Sequence, residues 1–179
     1  AGQGDATAQV NLGFVYVDGK NGFRQNFELA VQYFKLAADQ GDARGQDNIG
    51  EMYSNGHGVQ QDYALAVEYF KVAADQRCAR APYHLGLAYG MGRGVNQNSR
   101  VAIRFFKLAA EQGDADASST LEEIFRVGTR VEVTGLTCDP DLNGSTGTVT
   151  ETLNDGRAVV MLDGRTNPQS IRHMHLDPL

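Results

Sequence analysis

A block of about 36 residues is written three times in this chain. Ala37-Ala38, Ala73-Ala74 and Ala109-Ala110 lie 36 residues apart, Asn26, Asp62 and Asn98 keep the same interval, and Leu12-Gly13, Ile49-Gly50 and Leu85-Gly86 recur at 37 and 36. A fixed period of this length outranks local signals. Each copy is one supersecondary unit that cannot bury its apolar face alone, so the copies must stack in a row. The first copy carries one extra residue, between Gly19 and Gly22.

Each copy reads as two helices. Leu12 and Tyr16, Ile49 and Tyr53, and Leu85 and Tyr89 are four apart and share a face, with Ala8, Gly45 and Ala81 one turn earlier on the same stripe. A Gly inside a helix costs roughly 1 kcal/mol relative to Ala. Its return at three equivalent positions predicts close approach by a neighbouring helix. Gly-rich turns then end the first helix, and Asn26, Asp62 and Asn98, which accept from free amides, open the second. That helix carries Ala30, Phe34 and Ala37 and their counterparts. Gly41 and Gly113 are placed to stop one helix while Asp42 and Asp114 cap the next.

Two copies depart from the pattern. Arg77-Cys78 replaces Gly-Asp and Pro82 falls in the first turn that follows, predicting a shifted or frayed start. After residue 112 only a first helix remains, with Leu121 and Phe125 on the stripe and Glu122 in place of Gly, as a solenoid lid requires.

The segments "LGFVY", "IGEMY" and "LGLAY", the "G-x-G-V" turns and "AVEYFKVAADQGDA" with its cognates resemble Sel1-like repeats, a tetratricopeptide-related family, over residues 4–125. The opening "AGQGDA" resembles the tail of a preceding unit, so further repeats upstream are expected. The resemblance implies scaffolding of larger assemblies. Some Cys-rich Sel1-like proteins resemble penicillin-binding hydrolases, but those carry a Cys pair in each repeat and this chain does not.

Beyond Phe125 the pattern becomes alternating. Val131 and Val133 share a face, Asn143-Gly144 is a tight-turn signal, Asp155-Gly156 separates two strand-like runs, and "LDGR" repeats the punctuation. Short strands without a helix predict a five-stranded barrel. "VTGL", "LNGSTGTV", "GRAVVMLDG" and "SIRHMHL" resemble the SH3-like repeat of mind-bomb-type ubiquitin ligases, which implies contacts with other proteins and nothing further. The fold class expected is therefore α+β multidomain: an α-solenoid over 1–125, with units at about 4–40, 41–76 and 77–112 and a lid at 113–125, then an SH3-like β-barrel over 126–179. Residues 126–129 are expected to form a rigid junction.

Charge and chemistry narrow the function. The net charge of −6 divides as −4 over 1–125 (11 Lys/Arg against 15 Asp/Glu) and −2 beyond (5 against 7), so neither part has the basic stripe that nucleic acid demands. No run of sequence is long enough to span a bilayer. Cys78 and Cys138, in different modules, read as reduced thiols of an intracellular protein, in cytoplasm or an organelle interior. Ala1 without an initiator Met reads as a processed or trimmed start. His173 and His175 alternate but lack a third ligand, His57 and His84 show no partner, and the Glu122-Glu123 pair reads as solvated, so no metal or cofactor is expected. Neither a nucleophile elbow nor a zinc-protease motif occurs, and the Gly turns lack a phosphate loop's Lys, so no catalytic residue is assigned.

Tetratricopeptide-like packing puts the residues two before and two after each Leu-type landmark on the inner surface. These are Val10 and Phe14, Asp47 and Glu51, and Tyr83 and Leu87. Apolar ends around an acidic middle suit a protein or peptide with a basic residue between hydrophobic anchors; the alternative is that these residues bury against neighbouring units. The expected function is a non-catalytic adaptor binding through the repeats and the barrel. The alternatives are a permanent subunit of a large complex and, behind it, a hydrolase of the Cys-rich type.

Overall fold

The computed structural model describes residues 4–19, 22–134, 136, 138–153, 157–172 and 175–179. The chain divides into two compact units, Ala1–Phe105 and Phe106–Leu179. The division at 125/126 read from the sequence marks where the period ends.

The first unit holds α1 (Ala6–Asp18), α2 (Phe27–Asp39), α3 (Ala43–Asn55), α4 (Tyr63–Asp75), α5 (Arg80–Met91) and the start of α6 (Ser99–Glu111). Local chemistry fixes the boundaries. Asn26 and Asp62 accept from the amides of Leu29 and Leu65, and Asp42 accepts from Arg44 and Gly45. Each such cap is worth about 1 kcal/mol. Gly19, Gly56 and Gly92 close the first helices in the left-handed conformation. The shifted start is present: α5 begins at Arg80 with no side-chain cap, and Arg77, where other units have Gly, is the sole non-Gly residue at positive φ among the described residues.

Consecutive helices pack in order, α1 on α2, α2 on α3, α3 on α4 and α4 on α5. The Gly positions explain how closely. A Cβ on Gly13 would stand 2.3 Å from Phe34, and one on Gly50 2.7 Å from Phe70. The second Gly of the turn serves a different purpose. At Gly58 and Gly94 a Cβ would meet the backbone of Phe27 and Tyr63 at 2.4 and 2.2 Å, so each turn lies directly on the start of the previous unit's second helix. His57 stacks on Phe27 there, and Arg93 lies over the Tyr63 ring. Within each repeat a further ring pair stacks nearly parallel: Tyr16 on Tyr33, Tyr53 on Tyr69, Tyr89 on Phe105.

Ala8 departs from its stripe. Gly45 and Ala81 are buried, and Gly45 faces Ala37 and Ala38 of the preceding unit's second helix; Ala8 is exposed. Leu12 is likewise 36% exposed, although Ile49 and Leu85 are fully buried.

The second unit contains the end of α6, α7 (Ala115–Ile124) and β1 (Arg130–Val133), β2 (Thr146–Leu153), β3 (Arg157–Leu162), β4 (Gln169–Arg172) and β5 (Leu176–Pro178). Asp114 caps α7, whose stripe buries Ala117 and Leu121 while Glu122 and Glu123 face solvent. The strands form one antiparallel sheet in the order β4-β3-β2-β1-β5, with a register shift between Val149 and Glu151. Val131, Val133, Val149 and Leu176 form its buried face.

One expectation needs correction and one local signal is present. The barrel is not closed: β4 and β5 are the two edges, and among the described residues no ladder joins them. Asn143-Gly144 forms the tight turn expected, with Ser145 N–H donating to the Leu142 carbonyl at 3.0 Å. It follows a short 3-10 turn, Pro140–Leu142, in the long β1–β2 connection; Asn143 bonds both backbone groups of Leu136, and Gly144 takes the left-handed conformation. Asp155-Gly156 lies outside the described residues.

The junction is stitched to both neighbours. Gly128 N–H donates to Val149, Val149 N–H to Thr129, and the Thr129 hydroxyl to the Ile124 carbonyl. Lys107 is buried at the end of α6, donating to the Leu176 carbonyl and to Asp177 at 2.9 Å, with its ammonium 5.8 Å from the Phe125 ring centroid.

Candidate protein-interaction site

The second and third repeats meet through a polar seam. Asp47 on α3 is 1% exposed, and an acid is rarely buried so fully unless paired. Arg80 Nε donates to its Oδ2 at 2.7 Å, and His84 Nδ1 lies 3.0 Å from Oδ1. An ionised carboxylate only accepts, so the Nδ1 proton points at Asp47. Burial works to raise the Asp47 pKa, but the hydrogen bond and charge of His84 and the charge of Arg80 outweigh it and hold the acid below its ordinary range. Arg80 also reaches Asn48 and, at 3.3 Å, Glu51. One step along the stack, Gln40 donates to Gln9 at 2.6 Å and Gln76 to Gln46 at 2.7 Å, a repeated pair on the same row.

Beside this seam α3, α4 and α5 enclose a cleft of about 180 Å³. Val67 and Phe70 line it from α4, Glu51 from α3, and Leu87 and Met91 from α5, with Arg93 at its edge. Met91 is 54% exposed.

The six residues expected on the inner surface separate into two groups. Val10 is 1% exposed and packs with Phe34 and Ile49, and Asp47 is enclosed by Arg80 and His84, so neither offers a side chain to a partner. Of the acidic middle, Asp47 is accordingly neutralised inside the fold, whereas Glu51 is not enclosed. Phe14 is 42% exposed, whereas Glu51, Tyr83 and Leu87 are half-buried. Glu51 and Leu87 come together in the cleft; Phe14 lies one unit away, on α1. His84 has partners that the sequence reading missed, Asp47 and the ring of Phe70 at 4.6 Å. The signal available was spacing: Asp47 precedes Arg80 and His84 by 33 and 37 residues, about one period.

Cys78 and Cys138 are free thiols, and burial, with Asp47 nearby, pushes the Cys78 thiol up, which keeps it protonated and a poor nucleophile. Among the described residues no cluster of His, Cys, Asp and Glu could hold a metal, and no helix is long and apolar enough to cross a membrane. His173 lies outside the described residues.

Paired helices stacked through Gly, Ala and ring contacts define a helical repeat protein. The family model for the Sel1 repeat matches residues 6–42, 43–78 and 79–114, and the chain belongs to that family. A Sel1 repeat protein from Oxalobacter formigenes is 32% identical with a TM-score of 0.61, over 69% of this chain and 49% of that one. The protective antigen c5321 of uropathogenic Escherichia coli, which displays an SLR fold, is 36% identical with a TM-score of 0.62, over 68% and 26%. The ERAD-associated E3 ubiquitin-protein ligase component HRD3A of Arabidopsis thaliana is 36% identical over 58 residues, which are 32% of this chain and 9% of that protein. The chain thus spans half or less of each relative. Sel1 repeat proteins generally act as protein-interaction scaffolds.

Proposed function

We propose that this chain is a non-catalytic scaffold or adaptor that binds a protein or peptide through the first helices of its repeats. The observation that carries this reading is the row of apolar side chains left partly wet on those helices: Phe14 is 42% and Met91 54% exposed, and Leu87 lies half-buried in a cleft that contains Glu51. Large apolar groups at the surface, grouped around a concavity, are what protein anchors use. Asp47 is already paired and Glu51 is drawn to Arg80, so little acidic charge is left for the basic residue expected between the anchors. The five-stranded sheet is read as a second, SH3-like binding module, and the hydrogen-bonded junction at 126–129 as a link that holds both modules at one angle. Cys78 and Cys138 being free, the Cys pairs that frame each repeat of the Cys-rich Sel1-like hydrolases have no counterpart here.

A second reading has its own support. HRD3A is by its description a component of a ubiquitin ligase, which favours a permanent subunit over a transient adaptor. The experiment is affinity purification of tagged chain from its native cells, followed by native mass measurement. Wild type is expected to retain partners that the double variant Phe14→Asp/Leu87→Asp loses with unchanged helical circular dichroism; loss of helicity would return both side chains to the core. Partners that exchange within minutes indicate an adaptor, and partners that persist through dilution indicate a subunit.

A further inference from the structure

The first repeat displays, with its own side chain, what the cleft between the second and third repeats is shaped to hold. Phe14 stands edge-on to Phe34, ring centroids 5.3 Å apart and planes at 73°, an arrangement that aromatic pairs prefer. In the next repeat Phe70 takes the place of Phe34, but Glu51 takes the place of Phe14. The Glu51 carboxylate is drawn to Arg80 at 3.3 Å, and the cleft of about 180 Å³ opens beside Phe70. An apolar cavity of about 150 Å³ is enough to admit benzene.

The charges around the cleft are unequal in their partners. Asp47 is taken by Arg80 and His84, and Glu51 by Arg80. Arg93 lies 5.3 Å over the Tyr63 ring and, among the described residues, has no carboxylate partner. The second repeat's equivalent of Arg93 is His57, stacked on Phe27, so the position tolerates different side chains over the ring.

We infer that the cleft between α3, α4 and α5 captures an aromatic side chain of a peptide partner, edge-on to Phe70, with a carboxylate beside it on the peptide held by Arg93. The inference rests on the protein-interaction reading above and names the chemistry of the anchor. It moves the partner's charge from basic to acidic, because the fold neutralises Asp47 and leaves Arg93 open.

The test uses N-acetyl-L-phenylalanine, a ring with a carboxylate, against uncharged N-acetyl-L-phenylalaninamide, observed by amide NMR of the full chain. The acid is expected to shift Val67, Leu87, Ala88 and Arg93 saturably in the millimolar range, and the amide to bind about threefold more weakly, the scale of an exposed ion pair. Glu51→Phe supplies the ring from within and abolishes the shifts, while Glu51→Ala keeps them. Arg93→Gln, at an exposed position, makes the two probes equal and stays decisive whatever Glu51→Phe does to folding. Equal binding of the probes by wild type, or undiminished binding by folded Glu51→Phe, overturns the inference. Partner recovery dependent on Phe14 in that event leaves the scaffold reading standing; its loss as well brings down both.

Discussion

Asp47 and Arg80 meet at 2.7 Å across the boundary between the second and third repeats, with His84 on the other carboxylate oxygen at 3.0 Å. The contact joins helices through charge where neighbouring rows use Gln pairs. Removing one partner of a fully buried pair costs about 3–5 kcal/mol; Arg80 is 39% exposed, so about 2 kcal/mol is expected here for Arg80→Ala or Asp47→Asn at neutral pH. Urea unfolding midpoints measure it.

The same contact has a pH signature. The fold favours the ionised acid, so the Asp47 pKa is lower folded than unfolded, where it is near 3.9. Its contribution is complete above about pH 5 and is lost as pH falls through 4 toward the depressed native value. Taken from pH 6 to pH 3, wild type should lose more stability than Asp47→Asn, and the gap between them should narrow. Parallel acid limbs for the two proteins would exclude this role for Asp47.

Leu12 and Leu85 occupy the same repeat position with different burial. Leu85→Ala empties a closed site and is expected to cost about 2–5 kcal/mol. Leu12→Ala should cost under about 1 kcal/mol, because the side chain is already one-third in water. Similar losses in thermal unfolding would mean that Leu12 is covered in solution.

Glycines that share the left-handed conformation carry unequal loads. Gly41 has open space where a Cβ would go, so Gly41→Ala is expected to cost about 1 kcal/mol for the left-handed backbone alone. Gly94→Ala adds a collision with the Tyr63 carbonyl at 2.2 Å and should cost about 3 kcal/mol or more. The comparison by denaturant titration isolates the approach of turn to helix from conformational freedom.

What the sequence revealed was whatever the period or a local cap dictated. Asn26, Asp42, Asp62 and Asp114 announce helix starts because the cap is a bond within three residues, and Gly13 and Gly50 announce close packing because a helix interior otherwise rejects Gly. The candidate site was legible only in part. Whether position 47 is wet or buried depends on Arg80 and His84 in the next repeat, and no rule internal to one repeat supplies them. The ring pairs Tyr16–Tyr33 and Tyr53–Tyr69 recurred with the period and could have been read from it. Sheet closure is different in kind, since β1 pairs with β5 more than forty residues away, and no local signal distinguishes an open edge from a closed one.

Lys107 offers the last prediction. Its ammonium is buried at the end of α6, where it donates to the Leu176 carbonyl and to Asp177 and lies near Phe125. A buried cation survives only when hydrogen-bonded, so this group gains its full value only after β5 is in place. Lys107→Met keeps the length of the stem but removes the donors, leaving the Leu176 carbonyl and Asp177 without them. The cost expected is about 2 kcal/mol, confined to the second unit. Limited proteolysis reads it directly: wild type should resist cleavage at 126–129, where Gly128 and Thr129 are bonded to β2 and α7, and Lys107→Met should be cut first near β5. Cleavage of the native wild-type chain at 126–129 would show instead that the bonds of Gly128 and Thr129 do not hold this segment closed.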